Sequence, residues 1–125
     1  MLETFSDLVG KILVECYINH SDALGEDEIF FKLDNGEVYK LYHQQDCCEH
    51  VYVESIDGDL NRLLNQPILL AEENSNSGED KQGYGSETWT FYKLSTNLDS
   101  VNIRWYGSSN GYYSESVYWQ FCYKD

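Results

Sequence analysis

The residues able to do chemistry in this chain fall in two stretches. In the first, His43, Cys47, Cys48 and His50 stand close together, and Cys and His are the usual protein ligands of zinc. Side chains of adjacent cysteines diverge in extended chain, whereas zinc sites use cysteine pairs separated by about two to four residues. The stretch is therefore read as a tight turn in which Asp46 caps backbone N–H groups and one cysteine is buried, and no metal is expected. A nucleophilic cysteine needs a cationic neighbour or a helix N-terminus to form its thiolate, and Asp46 and Glu49 disfavour it. No G-x-S-x-G, phosphate-cradling glycine loop or H-E-x-x-H occurs. No catalytic residue and no cofactor are expected, and the chain is not read as an enzyme.

The second stretch runs from Arg104 to Glu115 and reads RWYGSSNGYYSE. Asn110-Gly111 suggests a hairpin turn, with Arg104 and Tyr106 on the strand leading in and Tyr112 and Tyr113 on the strand leading out. An arginine fork suits phosphate or carboxylate, aromatic rings stack on bases, and Ser and Asn give directional hydrogen bonds. The expected ligand-binding set is Arg104, Tyr106, Ser109, Asn110, Tyr112 and Tyr113, with Gln45 and Asp46 able to meet base edges or ribose hydroxyls. Each has a plain structural alternative: Arg104 can pair with a carboxylate, and tyrosines can form cross-strand pairs.

The elements that position these residues follow from periodicity. Ser86–Asp125 carries all three tryptophans, Trp89, Trp105 and Trp119, in three aromatic-rich runs that read as consecutive antiparallel strands. Alternation places Val101, Ile103 and Trp105 on one face of the middle strand and Asn102, Arg104 and Tyr106 on the other. One face is core and the other a candidate binding surface. Upstream, Leu2, Phe5, Leu8 and Val9 suggest a short amphipathic helix stopped by Gly10, and Ile12, Val14, Cys16 and Ile18 a strand. Asp34-Asn35-Gly36 joins two strand-like runs in a hairpin of type I′. Val51–Ile56 reads as a strand and Leu60–Leu64 as a second short helix near 58–65. Asn74–Gly85, rich in Gly, Ser and Asn, reads as a loop. The expectation is a single α+β domain over 1–125, predominantly antiparallel β, with about seven strands in a sheet or small barrel.

Charge narrows the function. Twenty-two acidic residues face eight basic ones, a formal charge of −14, with 42% hydrophobic and 15% aromatic residues. The chain has the material for a folded core, and direct nucleic-acid binding is excluded because neutralising phosphates needs a basic patch. It permits the inverse, an acidic DNA mimic or protein inhibitor of a host nucleic-acid enzyme. No apolar run reaches membrane-span length and no signal-peptide pattern opens the chain, so a cytoplasmic protein with reduced thiols is expected, with Cys16 and Cys122 as small core residues. The apolar helix and the tyrosines suggest a homo-oligomer, a dimer or larger.

The strings YKLYHQQDCCEHVYVESIDGDL (Tyr39–Leu60), PILLAEE (Pro67–Glu73), TWTFYKL (Thr88–Leu94) and IRWYGSSNGYYSESV (Ile103–Val117) resemble a family of small domains encoded by phages and prophages. In size and expected architecture the chain is also similar to the Thoeris anti-defence sponges, which bind a cyclic ADP-ribose signal made by host TIR proteins and sometimes cyclic oligonucleotides. That similarity implies a phage-derived binding protein that sequesters a nucleotide immune signal without turnover. It assigns no residue.

Overall fold

The structure, a computed structural model, describes residues 1–21, 26–46, 48–79 and 85–125, without the side chains of Ser21 and Glu79. Its strands are β1 (Leu13–Ser21), β2 (Glu26–Leu33), β3 (Glu37–Tyr42), β4 (His50–Asp57), β5 (Leu70–Glu79), β6 (Ser86–Ser95), β7 (Ser100–Ser109) and β8 (Tyr118–Lys124). They form two four-stranded antiparallel sheets, β1-β2-β3-β8 and β4-β7-β6-β5. The predominantly antiparallel β class holds, with eight strands in two sheets rather than one sheet or a closed barrel.

Alternation makes the core. In β2 Ile29, Phe31 and Leu33 are buried, and in β7 Val101, Ile103 and Trp105 are buried while Asn102 and Arg104 are exposed. Side chains of successive strand residues leave on opposite faces, so each sheet contributes one apolar face to a shared core. Tyr39 and Leu41 enter it from the first sheet, Tyr92 and Leu94 from the second.

Both expected helices are single 3₁₀ turns, Phe5–Leu8 and Leu60–Leu63. The spacing Leu2, Phe5, Leu8 is three, the period of a 3₁₀ rather than an α-helix. The first turn closes the sandwich between β8 and β5. Phe5 meets Tyr92 of the second sheet at 4.8 Å between ring centroids, and Trp119 and Phe31 of the first at 5.9 and 6.0 Å. The Trp119 indole donates to the Leu2 carbonyl at 3.3 Å, and the Leu2 N–H donates to the Tyr39 hydroxyl at 2.9 Å. The second turn is capped by Asp59, which accepts from the Asn61 N–H at 2.9 Å, and buries Leu63 beside β1 and β7.

Three local expectations need correction. The β2–β3 hairpin exists, but its loop is a three-residue Asp34-Asn35-Gly36 turn in which only Gly36 takes positive φ, at 91°, so it is not type I′. There is no room for a side chain at Gly36: a Cβ would lie 2.6 Å from the Asp125 carbonyl oxygen. Much of the expected 74–85 loop is strand, since the ladder with β6 continues through Glu79; 80–84 lie outside the described residues. Tyr112–Glu115 do not form a strand paired with β7, whose neighbours are β4 and β6; β8 joins β3 in the opposite sheet and 110–117 cross between the sheets.

Phe5 is 1% exposed and touches both sheets. Phe5→Ala should cost about 3–5 kcal/mol, the usual range for a buried phenylalanine, read as a lowered urea midpoint at unchanged slope. A cost under about 1 kcal/mol would mean that the turn is not part of the core.

Candidate functional site

Two buried carboxylates hold the connections by which the chain crosses between sheets. In the 43–49 connection, Glu49 Oε2 accepts the Asp46 N–H at 2.9 Å and lies 2.8 Å from His43 Nε2, while the Gln45 amide donates to the Glu49 carbonyl at 2.8 Å. In the 110–117 connection, Glu115 accepts hydroxyls from Ser86 and Ser109, each at 2.5 Å, and from Thr88 at 2.7 Å. His43 joins the two connections, its Nδ1 lying 2.7 Å from the Ser116 carbonyl oxygen. A carbonyl can only accept, so Nδ1 carries the proton. A third carboxylate, Asp27 of β2, accepts the Val53 N–H of β4 at 2.8 Å and meets His20 Nδ1 at 2.6 Å.

This arrangement gives the conspicuous sequence motifs a structural meaning. Trp105 fills the core, and Gly107 is glycine because a Cβ there would lie 2.9 Å from Glu115 Cβ and 3.1 Å from Val51 Cγ2. Ser109 points inward to Glu115, away from the face that carries Arg104 and Tyr106. Asn110 Oδ1 accepts the Tyr112 N–H at 3.0 Å, a local turn bond that leaves Tyr112 90% exposed. Gln45 and the Asp46 backbone serve Glu49. The His43–Glu49 pair resembles a general base with its orienting acid, but its side chains are 2% and 0% exposed and both imidazole nitrogens are engaged. The pair braces the two connections.

Cys48 is exposed and disulfide-bonded, which takes its thiol out of the His43, Cys47, Cys48 and His50 set weighed for zinc and departs from the expectation of reduced thiols. Cys47 lies outside the described residues. Among the described residues no group of three His, Cys, Asp or Glu is placed to hold a metal ion. Cys16 is a core residue, and burial pushes its thiol up to about 12. Cys122 is only half-buried, on the outer side of its sheet near Lys40 and Glu28.

The expected binding set therefore separates. Gln45, Asp46, Asn110, Tyr112 and Tyr113 lie in the two crossing connections and Ser109 ends β7 with its hydroxyl turned inward to Glu115, whereas Arg104 and Tyr106 lie on the outer face of the second sheet. The register there builds two rows across the strands: Tyr52, Tyr106, Trp89 and Asn76, then Ser55, Arg104, Phe91 and Asn74. Tyr106 meets Trp89 at 5.2 Å and Tyr52 at 5.7 Å between ring centroids. Phe91 and Tyr52 are 40% and 38% exposed, large apolar groups left on a solvent face. A cleft of about 340 Å³ opens beside them, lined by Ser55, Asp57, Phe91, Asn102, Ile103 and Arg104. Arg104 Nη2 lies 2.6 Å from Glu54 Oε1, and the Tyr106 hydroxyl donates to Glu87 at 2.8 Å. Burial, with Glu87 as acceptor and neighbouring charge, pushes that hydroxyl up to about 12. Trp89, Phe91 and Tyr52 were not expected as site residues, although alternation in TWTFYKL puts Trp89, Phe91 and Lys93 on one side.

Comparison with known proteins comes down to one match. The model of a domain of unknown function, DUF7448, covers residues 6–119. The chain belongs to that family. No curated protein and no solved structure matches it. The family match includes both crossing connections and the outer face, and it carries no activity with it. No helix among the described residues is long and apolar enough to cross a membrane.

Two measurements probe this geometry. Glu115→Ala leaves three hydroxyls without their shared acceptor and should cost about 2–4 kcal/mol, read by urea unfolding; a change below about 0.5 kcal/mol would remove Glu115 from the account. The Tyr106 hydroxyl should titrate at about 12, followed by NMR of its ring. Glu87→Gln should move that titration down, because the neutral amide no longer penalises the phenolate; an unmoved titration would contradict the contact.

Proposed function

We propose that this chain is a non-catalytic binding domain that holds a nucleotide-type signal on the outer face of its second sheet, in the counter-defence setting that its resemblance to phage-encoded domains and cyclic ADP-ribose sponges implies. The observation that carries the reading is Arg104, set into an exposed field of aromatic rings beside a cleft of about 340 Å³. A base would stack on Trp89, Phe91 or Tyr106, and ring stacking contributes about 1–3 kcal/mol per base. A phosphate would take guanidinium donors of Arg104 beyond the one directed at Glu54, since a guanidinium has five N–H groups. Asn74, Asn102 and Ser55 supply directional partners for ribose or base edges.

The formal charge of −14 repels an anion at long range. Capture thus rests on the local cations, Arg104 with Lys93 on the same face. Pairing Arg104 with Glu54 holds the guanidinium in place before the ligand arrives, which lowers the ordering cost of binding. The rival reading, an acidic inhibitor presenting carboxylates as phosphate substitutes, is weakened by where the acids point. Asp27, Glu49 and Glu115 are turned inward, and Glu28, Glu54, Asp99 and Asp125 are each paired with a cation.

The test is calorimetry against cyclic ADP-ribose isomers and cyclic di- and trinucleotides, with mass spectrometry of the recovered ligand. A binding nucleotide should come back unchanged. Arg104→Ala and Trp89→Ala should each weaken binding by about tenfold or more, consistent with losing a charge-assisted contact or a stacked base. Tyr112→Ala should leave affinity unaltered. A flat panel, or a ligand sensitive to Tyr112 and not to Arg104, overturns the reading.

A further inference from the structure

The edge strand β5 is the least protected part of the fold. Its ladder with β6 runs through ten successive pairs, Leu70 with Ser95 to Glu79 with Ser86, without a register shift. Glu72 to Gly78 are exposed, and the strand contains no proline, lysine or bulge of the kind that natural sheet edges use to discourage further pairing. Its first part is flanked by the turn at Phe5–Leu8. Between the two lies a groove of about 530 Å³ lined by Thr4, Phe5, Ser6, Glu72, Glu73 and Asn74.

The charged groups of that groove are both carboxylates. Glu72 has Lys93 as its cross-strand neighbour, whereas Glu73 is opposite Tyr92, whose hydroxyl is pushed up by burial and then by the Glu73 charge. A second copy of this chain is a poor occupant, because it would bring another −14 and place its own Glu72 and Glu73 against these. We propose that β5 accepts an extended, lysine- or arginine-bearing segment of a partner protein as an added strand. Its backbone would extend the ladder, and one basic side chain would enter the groove toward Glu73. Main-chain pairing supplies affinity in strand addition and side-chain pockets supply selectivity. The groove shares Asn74 with the border of the aromatic face, but the proposal does not rest on the nucleotide reading.

The experiment is hydrogen exchange on the full chain with a blocked synthetic peptide of alternating lysine and valine, beside a peptide of equal charge in which proline replaces each valine. The alternating peptide should slow amide exchange by about tenfold or more within 72–79 and leave the other strands unchanged. The proline peptide should not protect, since proline removes every second backbone N–H and its fixed φ does not sustain a continuous ladder. Glu73→Gln and Glu73→Lys should weaken the peptide progressively, while Tyr112→Ala, a change at an exposed side chain of the 110–117 connection, should not. Equal effects of both peptides, or protection spread over the surface, would mean general attraction to an acidic chain and overturn the proposal. Concentration-dependent protection of β5 without peptide would overturn it in favour of self-association.

Discussion

Two sheets that share one core still have to be kept in register where the chain passes between them, and here buried carboxylates meet that requirement. Glu49 and Glu115 gather the backbone and hydroxyl donors of the two crossing connections, and His43 ties the connections to each other through the Ser116 carbonyl. Asp27 adds a bond from β2 to the β4 backbone. A buried carboxylate is costly unless its oxygens are satisfied. Having accepted that cost, the fold gains a unique alignment, because no shifted arrangement supplies the same donors. The connections are held by hydrogen bonds to carboxylates, whereas Phe5, between β8 and β5, and Leu63, beside β1 and β7, close the sandwich by apolar packing.

That division explains what the sequence made legible. Residue pattern identified β2, β6 and β7 as strands, and in β7 alternation gave the inward and outward faces correctly, because a half-buried strand must alternate. The two faces of Val101–Tyr106 are as expected. The 3₁₀ turns were taken for helices because three-residue spacing over one or two repeats is compatible with either. The edge strand β5 was hidden by its composition: an exposed strand with one free edge carries little apolar signal, so Asn74–Gly78 look like loop. The path after Ser109 was not legible either, since Asn110-Gly111 specifies a turn but not the sheet to which the following strand returns.

The same physics redistributes the candidate site. Ser109, Asn110 and Gln45 are polar residues in suggestive company, but their side chains bond to Glu115, the local turn and the Glu49 carbonyl, and Asp46 gives its backbone N–H to Glu49. Arg104 and Tyr106 keep their side chains on an open sheet face, and the register brings Trp89, Phe91 and Tyr52 beside them. Cross-strand neighbours come from positions far apart in sequence, which is why half of that face was missed. In the proposed reading, a strongly acidic chain with one arginine among exposed aromatic rings would attract an anionic, planar ligand locally rather than at long range.

The most direct test is NMR shift mapping of the labelled chain titrated with cyclic ADP-ribose isomers and cyclic dinucleotides. The account predicts that the largest perturbations fall on the Trp89 indole, Phe91, Arg104 and Tyr106, while Gln45, Asp46, Tyr112 and Tyr113 stay in place. Perturbations centred on the 43–49 and 110–117 connections, with the outer face unmoved, would show that those connections are the binding site and contradict their assignment as scaffold.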